Sequence, residues 1–214
     1  MSRQSAYDRF VVSPMVHRVL ATPAVERVRV EVLQQARGRV LEIGFGSGLT
    51  LPHYTDAVTA LLAVDPDDAG WHRSEPARTT TSDRGFSVER AGRDASAIDL
   101  PDGSVDTVVS MWTLCTVPDM NSALTELTRV LRPGGVFLFA EHGPSSRSRR
   151  RRLETFIEPV WRPLAGGCHL TREPWNALTN LDYEATDVRR PTDSTGLPPG
   201  TRIGLATKAP FHRA

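Results

Sequence analysis

Blocks of apolar residues with different spacings alternate along the chain, and they predict helices and strands in turn. Across residues 24–36 the apolar side chains recur at helical spacing, which favours a helix with one buried face. Gly38 then marks its end. The residues of the buried face are Val25, Val28, Val32, Leu33 and Ala36.

Short continuous apolar runs follow, and such runs are typical of strands that are buried on both faces. Strands are predicted at residues 40–43, 61–64, 86–90, 105–110 and 136–140. Residues 66–84 are polar and contain Pro66, Gly70 and Pro76, which predicts a short helix or a loop. A helix with an apolar face is predicted over residues 121–131.

The C-terminal third predicts two helices, at 149–157 and 172–181, and two strands, at 183–189 and 202–207. Strands that alternate with helices indicate an α/β fold whose sheet is mainly parallel. We predict a single domain over residues 1–214, which have 39% hydrophobic content and are enough for a sizeable core. Residues 1–37 form a helical arm in this prediction, and residues 143–181 form a helical insert that shapes a substrate pocket.

The first strand runs into a glycine-rich turn, RVLEIGFGSGLTLPHY at residues 39–54. Such a turn lets the backbone approach a ligand closely, although it can also be a tight strand–helix junction without a ligand. A phosphate-binding loop would need Lys and Ser or Thr after the second glycine, and the dinucleotide pattern G-x-G-x-x-G is not matched either. Glu42 would repel a pyrophosphate but could accept hydrogen bonds from an ammonium group. The three glycines are Gly44, Gly46 and Gly48.

Two acidic residues follow the next strands. Asp65 ends the second strand, 21 positions after Gly44, where a carboxylate suits a ribose diol; the alternative is a helix N-cap. Asp94, followed by Ala95, comes after the third strand and could accept from an adenine amino group; the alternative is a surface carboxylate.

Together these segments resemble the class I S-adenosylmethionine-dependent methyltransferases. The motifs are VLEIGFGSG at 40–48, AVD at 63–65, DASAIDLPDGSVD at 94–106 and LTRVLRPGG at 127–135. The resemblance implies a Rossmann-like, mainly parallel seven-stranded sheet with helices on both faces, and S-adenosyl-L-methionine as cofactor. It further implies that Glu42 and the glycine backbone hold the methionine end and that Asp65 binds the ribose. Asp94 and Ala95 would bind the adenine, and Met111 and Trp112 would lie along the cofactor.

A closer resemblance to the membrane-anchored thiol S-methyltransferases is carried by MWTLCTV at 111–117, EH at 141–142 and EPVWRPLAGGCHLTREPW at 158–175. It implies methyl transfer to a small or lipid-like acceptor, with a thiol as one candidate. The glycine turn is also similar to bacterial phosphatidylethanolamine N-methyltransferases and quinone-biosynthesis methyltransferases, so those acceptors stay open. The rivals from other classes are a non-catalytic cofactor-binding module and a nicotinamide-dependent oxidoreductase.

On the acceptor side, His142 follows the fifth strand and is the candidate catalytic residue, as a base or as a group that orients the acceptor. A hydrogen-bonded structural histidine is the alternative. Cys115 is interpreted as a small buried hydrophobic residue. Cys168 and His169 are adjacent, but a metal site needs more ligands at suitable spacing, so no metal site is predicted.

The balance of 26 basic and 25 acidic residues argues against a nucleic-acid partner. The arginines at 147–152 are interpreted as a solvated helix start, with an anionic membrane surface as the alternative. No apolar window reaches the roughly 18 residues of a membrane helix, and no signal peptide is visible, which differs from the anchored thiol S-methyltransferases. Two cysteines are too few for a disulfide scaffold, so we expect a reduced, cytoplasmic setting.

Overall fold

The structure is a computed structural model that describes residues 7–83, 85–191 and 195–210. Its strands are β1 (Gly38–Ile43), β2 (Val58–Val64), β3 (Ser87–Gly92), β4 (Val105–Met111), β5 (Leu131–Glu141), β6 (Tyr183–Arg189) and β7 (Arg202–Lys208). Its helices are α1 (Ser13–Leu20), α2 (Pro23–Leu33), α3 (Asp68–Arg73), α4 (Glu75–Asp83), α5 (Met120–Val130), α6 (Ser148–Leu164) and α7 (Pro174–Leu178). A π-helical turn, Asp8–Val12, precedes α1, and a short 3₁₀ turn, Leu51–His53, follows the glycine-rich turn.

The described strands form one sheet in the order β3-β2-β1-β4-β5-β7-β6. Strands β1 to β5 pair in parallel, whereas β7 runs antiparallel to both β5 and β6. The prediction of an α/β fold with a mainly parallel sheet is therefore confirmed. The carboxyl ends of β1, β2 and β4 meet at one edge, where this class of sheet binds its ligands.

Helices cover both faces of the sheet, because neighbouring strand residues point to opposite sides. Val40 of β1 packs in the core cluster that contains Val28 and Leu33 of α2. Leu41, the next residue, packs in the opposite cluster with Leu124 and Leu127 of α5. The apolar face predicted at residues 24–36 is buried in full.

Residues 66–84 contain more regular structure than the sequence predicted. They form α3 and α4, which are separated at Ser74. Pro76 is the second residue of α4, where the helix needs no amide donor, so this proline does not break the helix. The polar composition of this segment has no apolar periodicity, so the sequence did not indicate two separate helices.

Helix α6 continues to Leu164, beyond the predicted end at residue 157, although Pro159 and Pro163 lie inside it. A proline in a helix interior removes a hydrogen bond. The Glu158 carboxylate accepts hydrogen bonds from the backbone amide of Thr171 at 2.8 Å and from its hydroxyl at 2.7 Å, and these bonds hold the helix at that point. Helix α7 is shorter than the predicted helix over 172–181.

Strand β5 begins earlier than predicted, at Leu131. Val105 pairs with Leu131 and Thr107 pairs with Val136, so residues 132–135 bulge out between two paired positions. Gly134, with φ of 70°, supplies the left-handed conformation that this bulge requires. The Arg-Pro-Gly-Gly segment at 132–135 is therefore a bulge inside the strand.

Candidate active site

A cavity of about 590 Å³ lies at the carboxyl ends of β1, β2 and β4. The arm contributes α1 to its wall, and the insert contributes residues 163 and 165–167. Of the nine residues predicted to bind a cofactor, eight line this cavity, and Gly48 does not. The eight are Glu42, Gly44, Gly46, Asp65, Asp94, Ala95, Met111 and Trp112.

The glycine-rich turn presents bare backbone to the cavity. Gly44, Gly46 and Gly48 have φ values of 71°, 55° and 74°, a left-handed region that other residues rarely adopt. A Cβ at Gly46 would meet only the Gly44 carbonyl oxygen, at 3.9 Å, so the backbone there faces open space. A Cβ at Gly48 would instead lie 3.1 Å from Leu51 and from Ser74, which makes Gly48 a packing position.

Asp65 holds this turn in place from the end of β2. Its Oδ2 accepts the Gly46 amide hydrogen at 2.7 Å, and its Oδ1 accepts that of Asp67 at 2.6 Å. Burial raises the pKa of this carboxyl, whereas the two amide bonds oppose that shift. The Asp65 side chain therefore caps a turn, which agrees in part with the alternative of a helix N-cap. It also lines the cavity. Each carboxylate oxygen can accept a second hydrogen bond.

Glu42 is buried at the end of β1, with 1% of its surface exposed. The Thr50 hydroxyl donates to it at 3.0 Å and the Tyr54 hydroxyl at 2.9 Å. Burial raises the pKa of Glu42 to about 7 despite these bonds and the nearby Arg29. Near neutral pH its charge thus depends on what occupies the cavity.

Asp94 lies at the rim and is exposed. Its Oδ1 accepts hydrogen bonds from the backbone amide of Ser96 at 2.9 Å and from the Ser96 hydroxyl at 2.6 Å, and these bonds lower its pKa. The neighbouring Ala95 is buried against the core cluster that contains Leu62. Oδ2 of Asp94 is the oxygen that neither Ser96 bond engages.

Glu141 accepts hydrogen bonds from the end of β4 and from the loop that follows it. It is fully buried, and its Oε1 accepts from the Ser110 hydroxyl at 2.6 Å and from the amides of Thr113 and Leu114 at 3.0 and 3.2 Å. Burial raises its pKa to about 7. The loop it holds includes Trp112, which has φ of 53° and is the one non-glycine residue with positive φ in the described ranges. Strain of this kind is held where surrounding contacts fix a binding site.

Three cavity residues of the arm, which includes α2, were not predicted from the sequence. The His17 ring lies 2.7 Å from the Ser47 hydroxyl, and the Ser13 hydroxyl donates to Asp67 at 2.5 Å. Arg29 is buried and donates to the Leu20 carbonyl at 2.8 Å. Within the described residues its Nε has no partner. Helical spacing identifies a buried face, but it does not reveal a polar residue that reaches a neighbouring loop.

Comparison with known proteins identifies the fold's chemistry. A family model described as a methyltransferase domain matches residues 41–139. Thiol S-methyltransferase TMT1B of Homo sapiens is 32% identical over 212 residues, which cover 94% of this chain and 85% of that protein. The chain belongs to the class I S-adenosylmethionine-dependent methyltransferases.

One further relative and one solved structure of the same fold are similar to this chain. Phosphatidylethanolamine N-methyltransferase of Cereibacter sphaeroides is 36% identical over 107 residues, about half of each chain (49% and 51%). The structure of Haemonchus contortus phospholethanolamine N-methyltransferase 2, in complex with phosphomonomethylethanolamine and S-adenosylhomocysteine, has a TM-score of 0.70 at 12% identity, covering 99% of this chain and 61% of that chain. The predictions of a methyltransferase and of S-adenosylmethionine as its cofactor are confirmed.

The cavity of this methyltransferase fits that cofactor. Carboxylates lie at three separate points of its wall, at Glu42, Asp65 and Asp94, and bare backbone at Gly46 lies among them. An ammonium group, a ribose diol and an adenine amino group all donate hydrogen bonds, and carboxylates accept them.

The predicted catalytic residue, His142, does not line the cavity. It is buried directly after β5, and its Nδ1 lies 3.9 Å from the Cys168 sulfur. The Cys115 thiol and His142 lower the pKa of Cys168 to about 4. Cys115 is buried, as predicted, but its contact with Cys168 was not foreseen.

A substitution at Gly70 tests how closely α3 must approach the glycine turn. A Cβ at Gly70 would lie 2.9 Å from the backbone carbon and oxygen of Gly46 and 2.7 Å from Asp67. Gly70→Ala should therefore lower the free energy of unfolding by about 1–3 kcal/mol, as overpacking does, and weaken S-adenosylhomocysteine binding. Urea denaturation and calorimetry measure the two effects.

Gly92→Ala is the matched control, because its Cβ would lie 3.7 Å from Val64, an ordinary contact. Equal stability and affinity in Gly70→Ala and the parent would contradict the close approach.

Proposed function

We propose that this enzyme transfers the methyl group of S-adenosylmethionine to a small, lipophilic or lipid-like acceptor, with a thiol as the first candidate. The observation that carries the proposal is the composition of the cavity described above. The glycine turn and its carboxylates line this cavity together with Thr116, Val117 and Pro163, and α1 of the arm lies over the glycine turn through His17. Cofactor and acceptor would thus share one enclosed space.

In this proposal each carboxylate has one task. Glu42 accepts from the methionine ammonium, Asp65 from the ribose hydroxyls and Asp94 from the adenine amino group. Arg29 lies beside Glu42 and would pair with the methionine carboxylate. Met111 and Trp112 would pack along the cofactor from the β4 side.

The bound cofactor supplies a methyl group already activated on a positively charged sulfur. The chain's own residues have to align the acceptor with that methyl and exclude water. For a thiol acceptor, a thiolate must also form, because the thiolate is the nucleophile. That His142 deprotonates or orients the acceptor stays a prediction, and Cys115 and Cys168 connect it to Thr116 and Gly167, which line the cavity.

Release of S-adenosylhomocysteine tests the acceptor class. The purified enzyme is given thiols, amines, phenols and phosphatidylethanolamine vesicles at matched concentrations. We expect thiols to give the fastest release, with rates that rise as pH approaches the thiol pKa. Fastest release with the vesicles would favour the phospholipid amine, in line with the phosphatidylethanolamine relative. Tight cofactor binding without release for any class would favour a non-catalytic module.

We propose further that the enzyme works at an anionic membrane surface, which would deliver a lipophilic acceptor. Helix α6 exposes apolar residues at i, i+3, i+7 and i+11: Leu153 at 56%, Phe156 at 82%, Val160 at 67% and Leu164 at 53%. An apolar helix face that points to solvent is typical of helices that lie in the membrane interface. We call this the α6 apolar face.

The neighbouring elements extend this surface to the cavity. Val16 and Val19 of α1 are 40% and 54% exposed, and Val16 also lines the cavity, as does Pro163 of α6. Among the described residues, Arg149 and Arg152 at the start of α6 have no acidic partner. Unpaired arginines beside an apolar face complement anionic lipid head groups. No helix in the described part of the chain is both long and apolar enough to cross a bilayer.

Vesicle co-sedimentation tests this surface. We expect binding to phosphatidylserine-containing vesicles, weaker binding to neutral phosphatidylcholine vesicles, and loss of the difference at high salt. Phe156→Ser should weaken binding by about tenfold or more, because a large apolar group no longer enters the lipid. Val30→Ser, at a 38% exposed position on α2, is the control that should bind like the parent. Equal binding of parent and Phe156→Ser would contradict the α6 apolar face.

A pH dependence tests the role of Glu42. Its pKa of about 7 means that the carboxyl is largely protonated below that value, so ammonium binding must first remove a proton. The dissociation constant of S-adenosylhomocysteine should rise about tenfold per pH unit as pH falls below about 7, and Glu42→Gln should bind weakly without this slope. Calorimetry between about pH 5.5 and 8.5 measures it, with the exposed Glu75→Gln as control. A slope that persists in Glu42→Gln assigns the proton to another group.

We propose a cytoplasmic setting, which both free thiols support. We propose no nucleic-acid partner, because the small formal charge of +1 offers no strong attraction to nucleic acid.

A further inference from the structure

Three side chains capable of binding a metal converge beside the cavity. Cys115 lies in the loop after β4, His142 directly follows β5, and Cys168 follows α6. One ligand atom from each lies within 4.8 Å of the other two, and the His142 Nδ1 is 3.9 Å from the Cys168 sulfur. Cys115 and His142 are buried, and Cys168 is partly so.

These separations match the requirements of a tetrahedral ion. Zinc binds thiolate sulfur at about 2.3 Å and imidazole nitrogen at about 2.0–2.1 Å. Tetrahedral angles then place the ligand atoms roughly 3.5–3.8 Å from one another. The observed ligand atoms lie within 4.8 Å of one another, so each pair has to approach by about 1 Å or less to reach that geometry.

The surrounding hydrogen bonds fix the two segments that carry the thiols. The His169 amide donates to the Cys115 carbonyl at 2.9 Å, which joins the two cysteine segments directly. The Arg172 guanidinium donates to the carbonyls of Leu114 at 2.8 Å and Val117 at 2.6 Å, on either side of Cys115. Such outer contacts pre-orient metal ligands.

We propose that Cys115, His142 and Cys168 bind one soft metal ion, with Zn²⁺ as the first candidate. Both thiols lose their protons to solvent as the two sulfur–metal bonds form, and the imidazole donates its Nδ1 lone pair. Three protein ligands leave a fourth position open. Thr116 and Gly167, the chain neighbours of the two cysteines, line the cavity, and we infer that the open position faces it.

This site deepens the proposed function, on which the role of its open position rests. A thiol that takes the fourth position of such an ion is held as a thiolate, the form that accepts a methyl group. An imidazole whose Nδ1 binds a metal is no longer free to act as a base through that atom. The metal site and a general-base role through Nδ1 are therefore alternatives for His142, and the metal titration distinguishes them.

Metal binding is measured on the full chain, kept reduced and stripped of metal. Zn²⁺ is titrated against a chromophoric chelator, and Co²⁺ is added separately to look for thiolate-to-cobalt absorption in the near ultraviolet. We expect one ion per chain, thiolate bands with Co²⁺, and release of protons on binding. Cys168→Ser and His142→Gln should each weaken binding by roughly 100-fold or more, since even outer-shell changes cost up to that factor.

His169→Gln is the matched control, because this histidine adjoins Cys168 yet pairs with Glu158 at 3.2 Å. It should bind metal like the parent. Cys168 is the thiol variant of choice because its side chain is partly exposed, and circular dichroism checks that the variants fold. Absence of a stoichiometric ion in the parent, or unchanged affinity in Cys168→Ser, would overturn the proposal.

Different results would contradict the metal proposal and the proposed function. Metal binding without any S-adenosylhomocysteine binding would sink the proposed function and leave the site standing. Full turnover with thiols by metal-free protein would sink the metal's role and leave the methyl transfer standing. A Cys115–Cys168 disulfide that persists under reductant would also overturn the metal site.

Discussion

The hydrogen bond from the Gly46 amide to the Asp65 carboxylate is the contact on which the site depends. It joins the turn after β1 to the end of β2, so that bare backbone faces the cavity. Three left-handed glycines allow the turn to take this path, and Gly70 lets α3 pack directly on its backbone. The arm adds contacts to the same place, through His17 on Ser47. Ligand binding and the packing of three elements therefore share one short segment.

Two buried carboxylates, Glu42 and Glu141, hold other segments at the same carboxyl edge of the sheet through hydrogen bonds. Glu42 at the end of β1 is bound by hydroxyl groups, and Glu141 at the end of β5 is bound by a hydroxyl and two amides. Burying a charge is costly, and both groups respond with a pKa raised to about 7. Glu141 nonetheless stabilises a strained loop at Trp112, so its burial has a structural purpose. Glu42 lines the cavity, so a cationic ligand can restore its charge.

The sequence predicted well those parts whose signals are local. The apolar runs of β1, β2 and β4 and the three positive-φ glycines each depend on a few consecutive residues. The acidic residue 21 positions after Gly44 was found because strand length and turn length fix that spacing. The extension of α6 past Pro159 was missed, because an internal proline favours a helix end and the contact of Glu158 with Thr171, 13 positions away, has no local sequence signal. For residues 66–84 the prediction was a short helix or a loop, and the presence of two helices was missed because no apolar periodicity in that segment indicates them.

The contact between Cys115, His142 and Cys168 was missed for a related reason. Cys115 and Cys168 are 53 positions apart, and metal-ligand patterns are recognised by short spacings. Only the topology of the sheet, which places β4 beside β5, and the return of the chain after α6 bring them together. His142 was noticed, but a strand-end position alone could not separate a base from a ligand.

The insert connects the outer surface of the molecule to the cavity. Its helix exposes apolar side chains along most of its length, and the chain then turns at residues 165–167 to close the cavity before reaching Cys168. A contiguous apolar face on an exposed helix is typical of a surface that contacts a protein, a membrane or a ligand. The proposed surface for lipophilic molecules would be joined by one turn to the proposed metal site and would give that face a use. Pro163 belongs to α6 and also lines the cavity, so the exposed face of the helix lies close to the cavity wall.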